Sequence, residues 1–148
     1  MFANILVATH GTPGAQRAEQ LAARLAGDWG ARLTVLSVVN ADWSLMTGDD
    51  WLNSSATRNH FADYVEAEID REMRAVWERI REQIAPLDPA FVRRVGPLEQ
   101  SITDAARETG ADLIVVGTRQ QRQAPGFRAR LDDRLLHPEL PCPLLVAP

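Results

Sequence analysis

The chain has 148 residues, 16 basic and 20 acidic side chains, and a formal charge of −4. That fits one domain and gives no reason to expect nucleic-acid or anionic-membrane binding. Apolar residues make up 45%, enough to offset chain entropy, so a disordered chain is excluded. The longest apolar runs, such as Leu113–Val116 and Leu144–Ala147, fall far short of a membrane span of about 20 residues.

All 16 basic residues are arginines. Without lysine the chain cannot supply a Walker-type phosphate loop, Schiff-base or pyridoxal-phosphate chemistry, or the ion pair of a protein kinase. Its one cysteine, Cys142, rules out an intramolecular disulfide and a structural zinc site built from several thiolates. The expected compartment is the reducing cytoplasm. The first basic residue is Arg17, so no positive n-region of a secretory signal is visible.

Asn4–Ala8 is a short apolar run closed by Thr9-His10-Gly11-Thr12-Pro13, which predicts a buried strand. Thr12 as N-cap and Pro13 as first helical residue then open a helix. Its stripe is Ala18, Leu21, Ala22, Leu25 and Trp29, and Gly30 is its stop. Arg32–Val39 is rich in β-branched residues and reads as the second strand. Residues 40–58 break the rhythm and read as a loop or short-helix insertion carrying Trp43, Met46 and Trp51. These could cover an aromatic ligand, close over the core or meet a second subunit.

Over residues 59–85, Phe61, Val65, Ile69, Met73, Val76, Ile80 and Ile84 form one stripe, with Glu66, Asp70, Arg71, Arg74, Glu78, Arg79 and Arg81 on the other faces. That is a long amphipathic helix, ended by Pro86 and Pro89. Phe91–Val95 is the third strand. Gly96-Pro97 restarts a helix through Leu98, Ile102, Ala105 and Ala106, stopped by Gly110. Asp112–Gly117 is a continuous apolar strand, as in sheets covered on both faces. Residues 118–127 are an Arg- and Gln-rich loop, Ala129–His137 a short helix, and Leu144–Ala147 the last strand.

The order βαβαβαβαβ implies right-handed crossovers and a doubly wound α/β domain over residues 1–148. Five strands and four main helices fit a flavodoxin-like parallel sheet of order 3-2-1-4-5. Ligands of such sheets bind beyond the carboxyl ends of the strands, at the switch point beside strand one. The rule selects residues 9–14, 39–44 and 117–131.

Three segments carry a family resemblance: Asn4-Ile5-Leu6-Val7-Ala8 followed by Gly11-Thr12; Thr109-Gly110-Ala111-Asp112-Leu113-Ile114-Val115-Val116-Gly117-Thr118; and Pro141-Cys142-Pro143-Leu144-Leu145-Val146. In this order they resemble the universal stress protein family. The resemblance implies a flavodoxin-like fold, homodimers, and stress-linked roles that are rarely enzymatic. One class of that family binds ATP through G-x2-G-x9-G followed by Ser or Thr, and the other lacks the pattern. Here Gly117 keeps the first glycine, but Gln120 and Arg130 stand at the next two and Leu131 at the hydroxyl. His10 stands where the nucleotide binders have Asp after strand one.

The resemblance therefore places a degenerate nucleotide cleft at His10, Thr12, Val39, Gly117, Gln120, Arg130 and Leu131, with no cofactor expected. A non-Gly residue in the left-handed region costs roughly 1–2 kcal/mol, and a lost charge-assisted hydrogen bond about 1.5–3 kcal/mol. Two or three such losses, on the order of 4–6 kcal/mol, turn a micromolar site into a millimolar one or worse. The resemblance also implies dimerisation through the last strand, at Leu144, Leu145 and Val146.

The leading expectation is a non-enzymatic homodimeric stress protein, its partner a second copy, an unidentified protein or a small anionic ligand. The alternative is an ATP- or AMP-binding regulator in which Arg119, Arg122, Arg128, Arg130 and Arg134 replace the glycines; against it, charge runs usually face water, and a solvated, partly self-paired surface is the simpler reading of those arginines. A flavin carrier is a third reading, from Thr9-His10-Gly11-Thr12 and Trp43 or Trp51. A phosphorelay receiver is excluded by Thr9-His10 and the missing lysine, and the chain has no G-x-S-x-G hydrolase elbow. His10 without a companion nucleophile, and Cys142 between prolines, read as structural residues; no catalytic or metal-binding residue is assigned.

Overall fold

A computed structural model describes residues 2–9, 13–39, 55–84, 87–117 and 140–148. Strands and helices alternate: β1 (Asn4–Ala8), α1 (Pro13–Trp29), β2 (Arg32–Val39), α2 (Ser55–Gln83), β3 (Ala90–Val95), α3 (Leu98–Thr109), β4 (Leu113–Gly117) and β5 (Leu144–Ala147). The strands form one sheet of order β3-β2-β1-β4-β5, and every pairing is parallel. This is the flavodoxin-like plan expected. The fourth helix, placed over residues 129–137, lies outside the described residues.

The two central strands are apolar from Ile5 to Ala8 and from Leu113 to Val116 because helices cover both faces. On one face Ile5, Val7, Leu33, Val35, Leu113 and Val115 pack with α1 and with Ile80 of α2. On the other, Leu6, Leu36, Val38, Ile114 and Val116 pack with Ile102, Ala105 and Ala106 of α3. The period of two along each strand sends alternate residues to opposite layers.

Helix α1 meets the sheet through alanines. Ala15, Ala18, Ala22 and Ala26 are at most 4% exposed. Leu21, Leu25 and Trp29, expected on the same stripe, are only half-buried and flank this seam. Trp29 packs against Phe2 with the rings tilted, centroids 5.3 Å apart. Gly30 and Gly110 terminate α1 and α3 at φ +63° and +66°, the left-handed region where glycine has no Cβ penalty. The Gly110 N–H reaches the Arg107 carbonyl at 3.3 Å, and the Ala111 N–H reaches Ala106 at 2.9 Å.

Helix α2 starts at Ser55, ahead of the expected 59, and closes at Gln83 rather than 85. Its apolar stripe begins only at Phe61, so periodicity could not mark a start among the polar residues before it. Met73 and Ile80 are buried, and Val76, Trp77 and Ile84 pack on the same core.

At the amino edge one carboxylate joins the two central strands. The Asp112 oxygens accept the backbone N–H groups of Ala3 at 2.8 Å and Asn4 at 2.9 Å. The Asp112 N–H donates to the Asn4 carbonyl at 2.9 Å, and the Asn4 side-chain amide donates to the Gly110 carbonyl at 3.2 Å. These bonds set where β1 and β4 begin to pair.

Candidate functional site

The crossover direction of the sheet reverses between β1 and β4, so the cleft expected of this topology opens at their carboxyl ends. Two of the residues expected there are described. Val39 ends β2, is 1% exposed, and its carbonyl accepts the Gly96 N–H at 3.0 Å. Gly117 ends β4, half-buried, opposite Ala147 of β5. His10, Thr12, Gln120, Arg130 and Leu131 lie outside the described residues, as do Trp43, Met46, Trp51 and the arginines at 119, 122, 128 and 134.

Just inside this edge a polar row crosses the face covered by α1 and α2. Ala8 pairs with Leu36 and Ser37 with Arg93, so Thr9, Ser37 and Arg93 follow one another across β1, β2 and β3. The Thr9 N–H extends the ladder, donating to the Leu36 carbonyl at 2.9 Å. Each side chain of the row meets a helix. The Thr9 hydroxyl donates to the Glu19 carboxylate of α1. The Trp77 indole N–H of α2 donates to Ser37 Oγ at 2.9 Å. Arg93 pairs with Asp70 of α2 at 3.1 Å.

Glu19 is 3% exposed. Arg79 of α2 donates through Nη2 to both of its oxygens, at 3.1 and 3.4 Å. Burial pushes the Glu19 carboxyl above the ordinary carboxylate range, and the hydrogen bond from Thr9 and the charge of Arg79 only partly oppose it.

Sequence periodicity missed this cluster and assigned Arg79 to a solvent face. A signal existed: Glu19 is four residues after Ala15 and three before Ala22, inside the alanine seam. A charge on a buried helical stripe implies a partner from another element.

Cys142 is half-buried beside the α3-side core. Burial pushes its thiol up, and the nearby Asp112 carboxylate adds to the effect. The residues expected at a dimer interface lie on β5, an edge strand. Leu144 faces the α3-side core and Leu145 the α1/α2-side core, each half-buried, while Val146 is 50% exposed. Among the described residues no group of three or more His, Cys, Asp or Glu converges on a metal position, and no helix is long and apolar enough to cross a membrane.

The whole chain, residues 1–148, matches the model of the Universal stress protein family, and the chain belongs to that family. A universal stress family protein from Burkholderia pseudomallei is 25% identical, with a TM-score of 0.67 over 99% of this chain and 96% of that one. UspA from Lactobacillus plantarum is 24% identical, with a TM-score of 0.64 over 99% and 97% of the two chains. A universal stress protein solved in complex with cAMP is 18% identical, with a TM-score of 0.64 over 99% of this chain and 97% of that one. Curated proteins give no sequence match.

Proposed function

We propose that this chain is a non-enzymatic, homodimeric stress protein of the cytoplasm that does not hold ATP in the manner of its family's nucleotide binders. The observation that carries the reading lies after β4. Gly117 ends the strand, but Gln120, Arg130 and Leu131 replace two glycines and a hydroxyl of the nucleotide-binding pattern. Backbone amides approach a phosphate closely only where no Cβ intervenes, and Leu131 offers no hydroxyl. The combined loss, on the order of 4–6 kcal/mol, moves a micromolar site to millimolar or weaker. Calorimetry with ATP and Mg²⁺ is expected to show no binding at micromolar concentrations; low-micromolar affinity overturns the reading.

The dimer rests on β5, which pairs with β4 along one edge and ends the sheet. An apolar edge strand needs cover, and antiparallel pairing with its own copy about a two-fold axis supplies it. Covering the exposed half of Val146 on both protomers contributes about 2 kcal/mol. Val146→Lys is thus expected to weaken the dimer roughly 30-fold or more. Sedimentation should give a wild-type dimer at micromolar concentration; a clean wild-type monomer contradicts the proposal.

A second reading is a nucleotide-dependent regulator. It is favoured by a structural neighbour solved with cAMP and by the five arginines between residues 119 and 134. Adenosine phosphate retained by the purified protein would support it.

A further inference from the structure

Glu19 is the one buried charged side chain among the described residues, and it ties three elements together. Thr9 continues β1 at its carboxyl end, Glu19 belongs to α1, and Arg79 to α2. We propose that Glu19 is a proton-linked coupler between the carboxyl end of β1 and helix α2, seating α2 more firmly when it carries a proton.

The direction follows from solvation. A carboxylate removed from water loses its hydration, which one counter-charge makes good only with excellent geometry and further hydrogen bonds. Arg79 keeps 29% of its side chain exposed, and its nearest contact with Glu19 is 3.1 Å. Compensation is therefore partial. When α2 lifts away, Glu19 regains water, so its ionised form favours the lifted helix and its neutral form the seated one. In the neutral acid the carbonyl oxygen still accepts from Arg79, and the new hydroxyl donates to Thr9 Oγ, whose own O–H turns away from Glu19. Burial raises the affinity of Glu19 for its proton in the seated state, which is the same sign.

Charges from the surrounding elements do not cancel this effect. α1 packs on β1, β2, β4 and β5. β1, β4 and β5 contain no charged residue, and Arg32 of β2 stands at the opposite, amino end of its strand. α2 supplies Arg79, whose Nη1 is directed to Gln83 at 3.1 Å. On α1 itself the Arg17 guanidinium is turned to the Pro148 carbonyl. Among the described residues, two further polar attachments of α2, Trp77 to Ser37 and Asp70 to Arg93, do not involve Glu19.

The inference is independent of nucleotide binding and of dimerisation. Its test is native-state hydrogen exchange of the α2 amides over residues 70–83, corrected for intrinsic rates. The Trp77 indole N–H resonance, assigned with Trp77→Phe, is followed alongside. In the wild type, α2 protection is expected to fall as pH rises through the Glu19 titration, by up to about tenfold per pH unit for one proton. Glu19→Gln should be uniformly protected with a flat profile. Arg79→Gln, which leaves the carboxylate without its counter-charge, should displace the profile to higher pH. Identical profiles in wild type and Glu19→Gln, or protection that rises with pH, overturn the proposal. If Glu19→Gln does not fold, the displacement by Arg79→Gln decides: an unmoved profile refutes it.

Discussion

Asp112→Asn is the sharpest probe of how the two central strands find their register. In the native chain each carboxylate oxygen accepts one backbone N–H, from Ala3 and from Asn4. Asparagine keeps one oxygen and turns an NH₂ toward the other amide, so one bond is lost and a donor faces a donor. A charge-assisted bond is worth about 1.5–3 kcal/mol where water is excluded, but this clamp sits at the sheet's rim, where water can substitute. The expected loss is about 1–2 kcal/mol of unfolding free energy. Slight burial pushes the Asp112 carboxyl up, but the backbone amides outweigh it and hold the group below its ordinary value of 3.8. Its contribution is therefore complete above the unfolded value and lost as pH falls through the depressed folded value. Urea titrations of both proteins at about pH 7 and about pH 2 read the result. The gap at neutral pH should close in acid. A gap below about 0.3 kcal/mol at pH 7, or one that persists in acid, refutes the clamp.

Other outcomes follow from the same physical terms. Gly110→Ala should cost about 1 kcal/mol in urea unfolding, for backbone conformation alone, because its Cβ would meet nothing nearer than the Asn4 amide at 4.0 Å. Ser37→Ala leaves the Trp77 indole N–H unpaired and should cost about 1–2 kcal/mol; in a double-mutant cycle with Trp77→Phe the combined loss should be smaller than the sum. Cys142 should react with an aromatic disulfide more slowly than a free thiol at mildly alkaline pH, since burial and Asp112 both disfavour its thiolate, and Asp112→Asn should speed it.

The sheet was legible because its strands are short apolar runs bounded by glycine and proline. The limits of β2 and β5 match the sequence reading, and Gly30 and Gly110 stop their helices as composition requires. Alternation of strand and helix was enough to place Val39 and Gly117 at the carboxyl ends of β2 and β4. Less was legible where burial depends on which faces meet. Arg79 looks like a solvent charge until α2 is laid beside α1. Thr9, Ser37 and Arg93 are far apart in the chain and become a row only through strand register. The start of α2 was obscured because its first turn carries no apolar residue of the stripe.

The alanine seam of α1 fixes where this molecule can change. A methyl group is the smallest side chain that still fills space, and the helix rests on the strands with nothing left to trim at Ala18, Ala22 and Ala26. Larger residues there would wedge the layers apart, at about 1–3 kcal/mol each. Natural divergence and deliberate redesign are thereby directed toward α2, whose larger core residues Met73 and Ile80 have alternatives of similar volume. One helix serves as the bedplate, and the other is the part that can be refitted.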